Sequence, residues 1–119
     1  MQIIFESRDP QGAKLRDLAE RRIRFAIRRL SWLVPRAKVR LTDVNGPRGG
    51  IDKHCQIQLE TATFGKVVIS SVARDWTVAF ENGLARASRL LIRSLRRNRE
   101  TQRKQMQHLL PPAENAGAE

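Results

Sequence analysis

Apolar residues in this chain recur with two rhythms, one of two residues and one of three to four. Lys38-Val39-Arg40-Leu41-Thr42 alternates polar with apolar, and His54-Cys55-Gln56-Ile57-Gln58-Leu59-Glu60-Thr61 does so over eight residues. In an extended chain that period sends successive side chains to opposite faces, so each segment predicts a strand with one buried and one wet face. Residues 66–73, rich in Val and Ile, predict a third strand, and residues 2–7, with Ile3, Ile4 and Phe5, a short opening one. Between Lys14 and Leu30 the rhythm changes. Leu15, Ala19, Ile23, Ala26, Ile27 and Leu30 are spaced to line one face of a helix. Asp9-Pro10 supplies a start signal for it and Pro35 a stop. A second stripe, Phe80, Leu84, Ala87, Leu91 and Leu95, predicts a helix from Trp76 to about Lys104, capped by Asp75 and anchored by Trp76.

The connections fit these elements. Asn45-Gly46-Pro47-Arg48-Gly49-Gly50 reads as a long glycine-rich turn, with positive φ expected at Gly46, Gly49 and Gly50. Thr63-Phe64-Gly65-Lys66 reads as a tighter hairpin. The order β-α-β-β-β-α predicts an α+β domain: one four-stranded sheet with two helices packed on one face. Its open face would show Lys38, Arg40, His54, Gln56 and Gln58. That domain spans 1–105. Residues 106–119, which from Pro111 on are Pro, Ala, Gly, Asn and Glu, are expected to form a flexible tail.

Charge decides what such a domain is for. The chain of 119 residues carries 23 Lys plus Arg against 12 Asp plus Glu, a net charge of +11, and 18 of the cations are Arg. A guanidinium is planar, always charged and forked to match phosphate oxygens. The arginines also follow the helical period: Arg86, Arg89, Arg93, Arg96, Arg97, Arg103 and Lys104 oppose the second apolar stripe. Arg21, Arg24 and Arg28 oppose the first, with Arg22 and Arg29 at its flank. A solvated basic surface or attraction to anionic lipid is the plainer alternative, but charge organised into faces on two helices points to nucleic-acid backbone.

Other chemistries find little support. A lone cysteine, Cys55, excludes an internal disulfide and suits a reducing cytoplasm. No apolar run reaches the roughly 18 residues of a membrane span, and Met1-Gln2-Ile3-Ile4-Phe5 lacks the features of a secretion signal, so a cytoplasmic protein is expected. The glycine-rich turn lacks the Gly-Lys-Ser/Thr ending of a phosphate-binding P-loop. His54 and Cys55 are adjacent on a strand and therefore point apart, Cys55 into the core and His54 outward. With His108 the only other histidine, no metal site, catalytic group or cofactor is expected, and no small-molecule substrate. Trp32 and Trp76 are expected to be packing anchors.

These features together resemble the ribosome hibernation-promoting factor and ribosome-associated inhibitor family. The resemblance covers about residues 1–105. It rests on the element order, the Met-Gln-Ile opening, the run Leu15-Arg16-Asp17-Leu18 and the basic closing helix. It rests also on the strand–loop–strand Thr42-Asp43-Val44-Asn45-Gly46-Pro47-Arg48-Gly49-Gly50-Ile51-Asp52-Lys53-His54-Cys55, in which the loop from Asp43 to Gly50 is the most specific part. The long members carry a second, dimerising domain after a linker that these residues do not show, so the likeness is to the short form. It implies a fold similar to double-stranded-RNA-binding domains and a place on the small ribosomal subunit. There, in the channel used by messenger and transfer RNA, the protein would contact rRNA and inhibit translation under stress, without enzymatic activity. The implied RNA contacts are Arg21, Arg22, Arg28 and Arg29 on the first helix and Arg86, Arg89, Arg93 and Arg97 on the second, to which the cationic stripe adds Arg96 and Lys104. Arg48 and Lys53 are candidates from the turn. A general double-stranded-RNA-binding module or RNA chaperone is the alternative, and an RNA-processing hydrolase a third reading that lacks an acid–base or metal-ligand set. Self-association is left open.

Overall fold

The computed structural model describes residues 1–44 and 52–109. In chain order the elements are β1 (Gln2–Ser7), α1 (Pro10–Ala13), α2 (Arg16–Ala26), a 3₁₀ turn (Arg28–Leu30), β2 (Arg36–Asp43), β3 (Lys53–Glu60), β4 (Lys66–Ala73) and α3 (Trp76–Leu109). The strands form one sheet in the order β1-β2-β3-β4. β1 runs parallel to β2, and the other two pairs are antiparallel. The fold is α+β, as the element order implies.

The two-residue period does its expected work. Register places Val39 opposite Ile57 and Ile57 opposite Ile69, and this row faces inward with Leu41, Cys55, Leu59 and Val67. Lys38, Gln58 and Val68 line up on the other face, as do Arg40, Gln56 and Ser70. Ala19 and Ile23 of α2 and Phe80, Leu84, Ala87 and Leu91 of α3 join the same core as the inward row. Both helices therefore cover one face of the sheet. Complete burial of a side chain the size of Leu or Ile contributes about 1.5–3 kcal/mol, so these positions hold the layers together.

Local chemistry sets the element ends. The Asp9 carboxylate accepts from the backbone N–H of Gln11 at 2.8 Å and Gly12 at 3.3 Å, and Asp75 accepts from Thr77 at 2.8 Å and Val78 at 3.1 Å. These caps satisfy donors that the first turn leaves unpaired. Gly12 is there for lack of a side chain: a Cβ at this position would lie 2.5 Å from Ser7 Oγ and 3.2 Å from Leu41 Cδ1. Gly65 turns the β3–β4 hairpin with φ +87°, a conformation costly for other residues.

Two boundaries differ from the sequence expectation. The first helix is not continuous from Lys14 to Leu30. At Lys14 and Leu15 the backbone switches to tight bonds back to Gln11 and Gly12, and α2 then ends at Ala26, where Ile27 leaves helical geometry at φ −117°, ψ 25°. Ile27, Leu33 and Val34 are all buried, so the chain must bend back to the sheet here, and that burial outweighs the helix propensity of Arg28 and Arg29. Ala26, expected on the apolar face, is exposed at the end of α2. The second difference is at the end of α3, which continues past Lys104 to Leu109. Residues 106–109, expected in a flexible tail, extend the helix. The positive φ expected at Gly46, Gly49 and Gly50, and the tail from 110, lie outside the described residues.

Cys55 is fully buried, and desolvation pushes its thiol up from 9.0 to about 12. A thiol reagent at neutral pH should leave Cys55 unlabelled in the native protein and label it on denaturation. Because the folded thiol holds its proton longer than the unfolded one, its contribution to stability is complete below pH 9 and is lost as pH rises through about 12. Alkaline unfolding curves of wild type and Cys55→Ala should show that difference.

Candidate nucleic-acid interface

The buried stripe sets how α3 is rotated on the sheet, and two surface contacts mark its flanks. Glu81 Oε1 accepts from Arg22 Nη2 of α2 at 2.8 Å, which marks the flank of α3 that faces the other helix. Five residues on, Arg86 Nη1 donates to the Ser70 carbonyl of edge strand β4 at 3.0 Å, which marks the opposite flank. Five residues turn a helix by about 140°. The sector between these anchors faces away from the sheet and carries Arg89, Arg93 and Arg96, with Arg97 and Lys104 at its β4 margin. All five are exposed. On α2, Arg21 is exposed on the same helical side of the sheet, while Arg24 donates to the Met1 carbonyl at 3.4 Å.

α3 also outruns its support. Its last buried residue is Leu95, although the helix continues to Leu109. At about 1.5 Å per residue, 34 residues span about 51 Å, against about 27 Å for an eight-residue strand. Residues 96–107 are exposed apart from half-buried Asn98. Arg99 consequently joins the cations, though its helical angle is that of Glu81, which faces α2 farther back. Sequence periodicity alone gives that angle to the flank between the helices. The length of α3 beyond the strands is the signal that would have found it.

The distribution of counter-charges separates two surfaces. On the open face of the sheet, Glu6 Oε1 lies 3.1 Å from Arg40 and 3.9 Å from Lys38, and Glu60 lies 3.9 Å from Arg36. Among the described residues, no ion pair engages Arg89, Arg93, Arg96, Arg97, Arg99, Arg103 or Lys104. Arg22 differs from them, since half of its side chain is covered and its charge is shared with Glu81.

Of four other expected contacts, Arg48 lies outside the described residues and three come out differently. Lys53 faces inward: its Nζ lies 2.7 Å from Asp43 Oδ2 and 3.6 Å from Asp52 Oδ1, and 5.3 Å from the centre of the Trp76 ring. The Asp43 hydrogen bond, with the charges of both carboxylates, raises its pKa above the usual 10.5. Lys53 therefore clamps the ends of β2 and β3 to the start of α3 and is not free for phosphate. Its counter-ion Asp52 is completely buried. Arg28 and Arg29 are exposed on the 3₁₀ turn and not on the helix stripe. Trp76 is buried as expected, but Trp32 is 62% exposed, and Phe25 of α2 is 64% exposed.

Among the described residues, no three His, Cys, Asp or Glu side chains gather as metal ligands, and no helix is long and apolar enough to cross a membrane. The chain matches no protein-family model and no curated protein.

Replacing Lys53 with Met should lower the thermal midpoint, because it leaves the buried Asp52 carboxylate without its cation. Asp52→Asn in that background should recover part of the loss. If the outward arginines are a nucleic-acid interface, RNA affinity and its salt dependence, measured by filter binding, should match wild type in Lys53→Met and fall in variants of those arginines.

Proposed function

We propose that this protein is a non-enzymatic, cytoplasmic factor that binds rRNA of the small ribosomal subunit and holds translation in check. The observation that carries the reading is the unpaired cation ladder on the outward sector of α3, backed by Arg21 of α2 on the same side of the sheet. RNA phosphates supply the missing counter-charges, and their release of condensed cations drives binding. Side chains cannot read the deep, narrow major groove of A-form RNA, so recognition follows backbone and shape more than base sequence. The resemblance of residues 1–105 to short hibernation factors selects the small subunit, in the messenger and transfer RNA channel, from among structured RNAs. Once bound, the folded body excludes those ligands by occupying their space.

Arg89→Glu combined with Arg93→Glu should abolish co-sedimentation with small subunits while leaving the circular-dichroism melt intact. With two phosphate-binding cations removed, the slope of log affinity against log salt should flatten by about 1.5. Unchanged co-sedimentation would refute the proposal. A general double-stranded-RNA binder or RNA chaperone would bind naked duplex as tightly as it binds subunits, and competition between the two separates the readings.

A further inference from the structure

Phe25 and Trp32 are the largest aromatic groups left in water among the described residues, and they flank Arg28 and Arg29. Neither ring is loose. The Arg28 guanidinium carbon sits 4.2 Å from the centre of the Phe25 ring, and its Nη1 donates to the Phe25 carbonyl at 2.8 Å. The Trp32 indole N–H donates to the Arg29 carbonyl at 3.1 Å. That bond lies in the ring plane, so it holds the indole without covering either face. The break at Ile27 places Arg28, Arg29 and Trp32 beyond the last residue of α2, with Phe25 in the last turn of that helix. The Phe25 ring carries a guanidinium over one face and the indole is held through its N–H, yet the two residues stay 64% and 62% exposed. Aromatic faces in water beside guanidinium groups, in a chain of net charge +11, are the parts of a base-stacking platform.

We infer that Phe25, Arg28 and Trp32 form a second nucleic-acid site, one that stacks unpaired nucleobases of RNA. The inference rests on the chain's being an RNA binder and adds the class of RNA feature this end of the molecule takes. Guanidinium planes and aromatic faces both accept a base, and every base has a π-face, so the site selects unstacked nucleotides without selecting sequence. Arg28 and Arg29 supply the charge that holds the flanking phosphates. The α3 ladder, in contrast, contacts backbone whether or not the strand is paired.

The test uses the full chain with an RNA hairpin carrying an unpaired loop, a blunt RNA duplex of equal length and an oligouridylate. Trp32 is the exposed one of the two tryptophans, so its emission should quench with the hairpin and the oligouridylate and hold steady with the duplex. Trp32→Leu and Phe25→Leu keep the apolar bulk and remove the π-face. Each should weaken hairpin binding by about 5- to 100-fold, with duplex binding and the salt slope unchanged. Trp32→Phe should recover most of the loss. Because both rings are exposed, the leucine variants should melt like wild type.

Equal weakening for hairpin and duplex would overturn the inference, as would no weakening of either. So would a leucine variant that binds hairpin normally but fails to self-associate or to bind subunits, since that result assigns the rings to a protein contact. The outcome is separable from that of the ribosomal proposal: oligouridylate quenching stands without subunit preference, and a subunit-binding defect confined to Arg89→Glu with Arg93→Glu stands without quenching.

Discussion

Both helices share one apolar face of one sheet, and that shared face governs everything outside it. α3 secures its half through Trp76, Ala79, Phe80, Leu84, Ala87, Leu91 and Leu95, which leaves the opposite sector no core to enter. Truncating a fully buried residue such as Leu91 to Ala would cost about 2–5 kcal/mol. Arginines three and four positions apart on the outer sector act in the other direction, since like charges at that spacing destabilise a helix by about 0.2–0.5 kcal/mol per pair. The Arg86–Arg89, Arg89–Arg93 and Arg93–Arg97 spacings each carry this cost. The fold tolerates it because the apolar side is anchored by a margin several times larger. Such a ladder works against stability, so folding does not account for it; on the proposed reading a polyanionic ligand does.

The strands were legible because each rests on one signal with little competition. Residues 2–7 and 66–73 appear as strands with those bounds, and the alternation over His54–Glu60 sends Cys55, Ile57 and Leu59 inward as the period requires. The first helix was less legible because two demands meet at Ile27. Local propensity continues the helix through Arg28 and Arg29, whereas burial of Leu33 and Val34 requires a bend, and only tertiary structure reveals which prevails. The same conflict hid Trp32. Trp32 lies close in sequence to buried residues, and only the geometry of the turn shows it facing water.

Lys53 shows a different limit. It follows a glycine-rich segment in a basic chain, and sequence alone offers it to a phosphate. Register puts it opposite both Asp43 and Ala73, on the inward face, where the carboxylates of Asp43 and Asp52 take its charge. Charge patterning counts cations without knowing which are already neutralised. Counter-charge accounting on the folded chain removes Lys53, discounts Arg22 and adds Arg99.

What remains on the surface divides by range. The ladder on α3 acts through long-range electrostatics, so salt weakens it and any polyanion draws on it. The rings of Phe25 and Trp32 act at contact distance, and stacking on their uncharged faces is little affected by ionic strength. An RNA surface offering both dense phosphates and displaced bases engages the two at once, and the second contact then becomes intramolecular. Linked contacts of that kind raise affinity for such an RNA well above that for a bare duplex without adding charge. On the proposed reading, that is how a small basic protein distinguishes folded ribosomal RNA from the many other polyanions around it: the ladder holds phosphate, and the rings admit only RNA whose bases are already out of the helix.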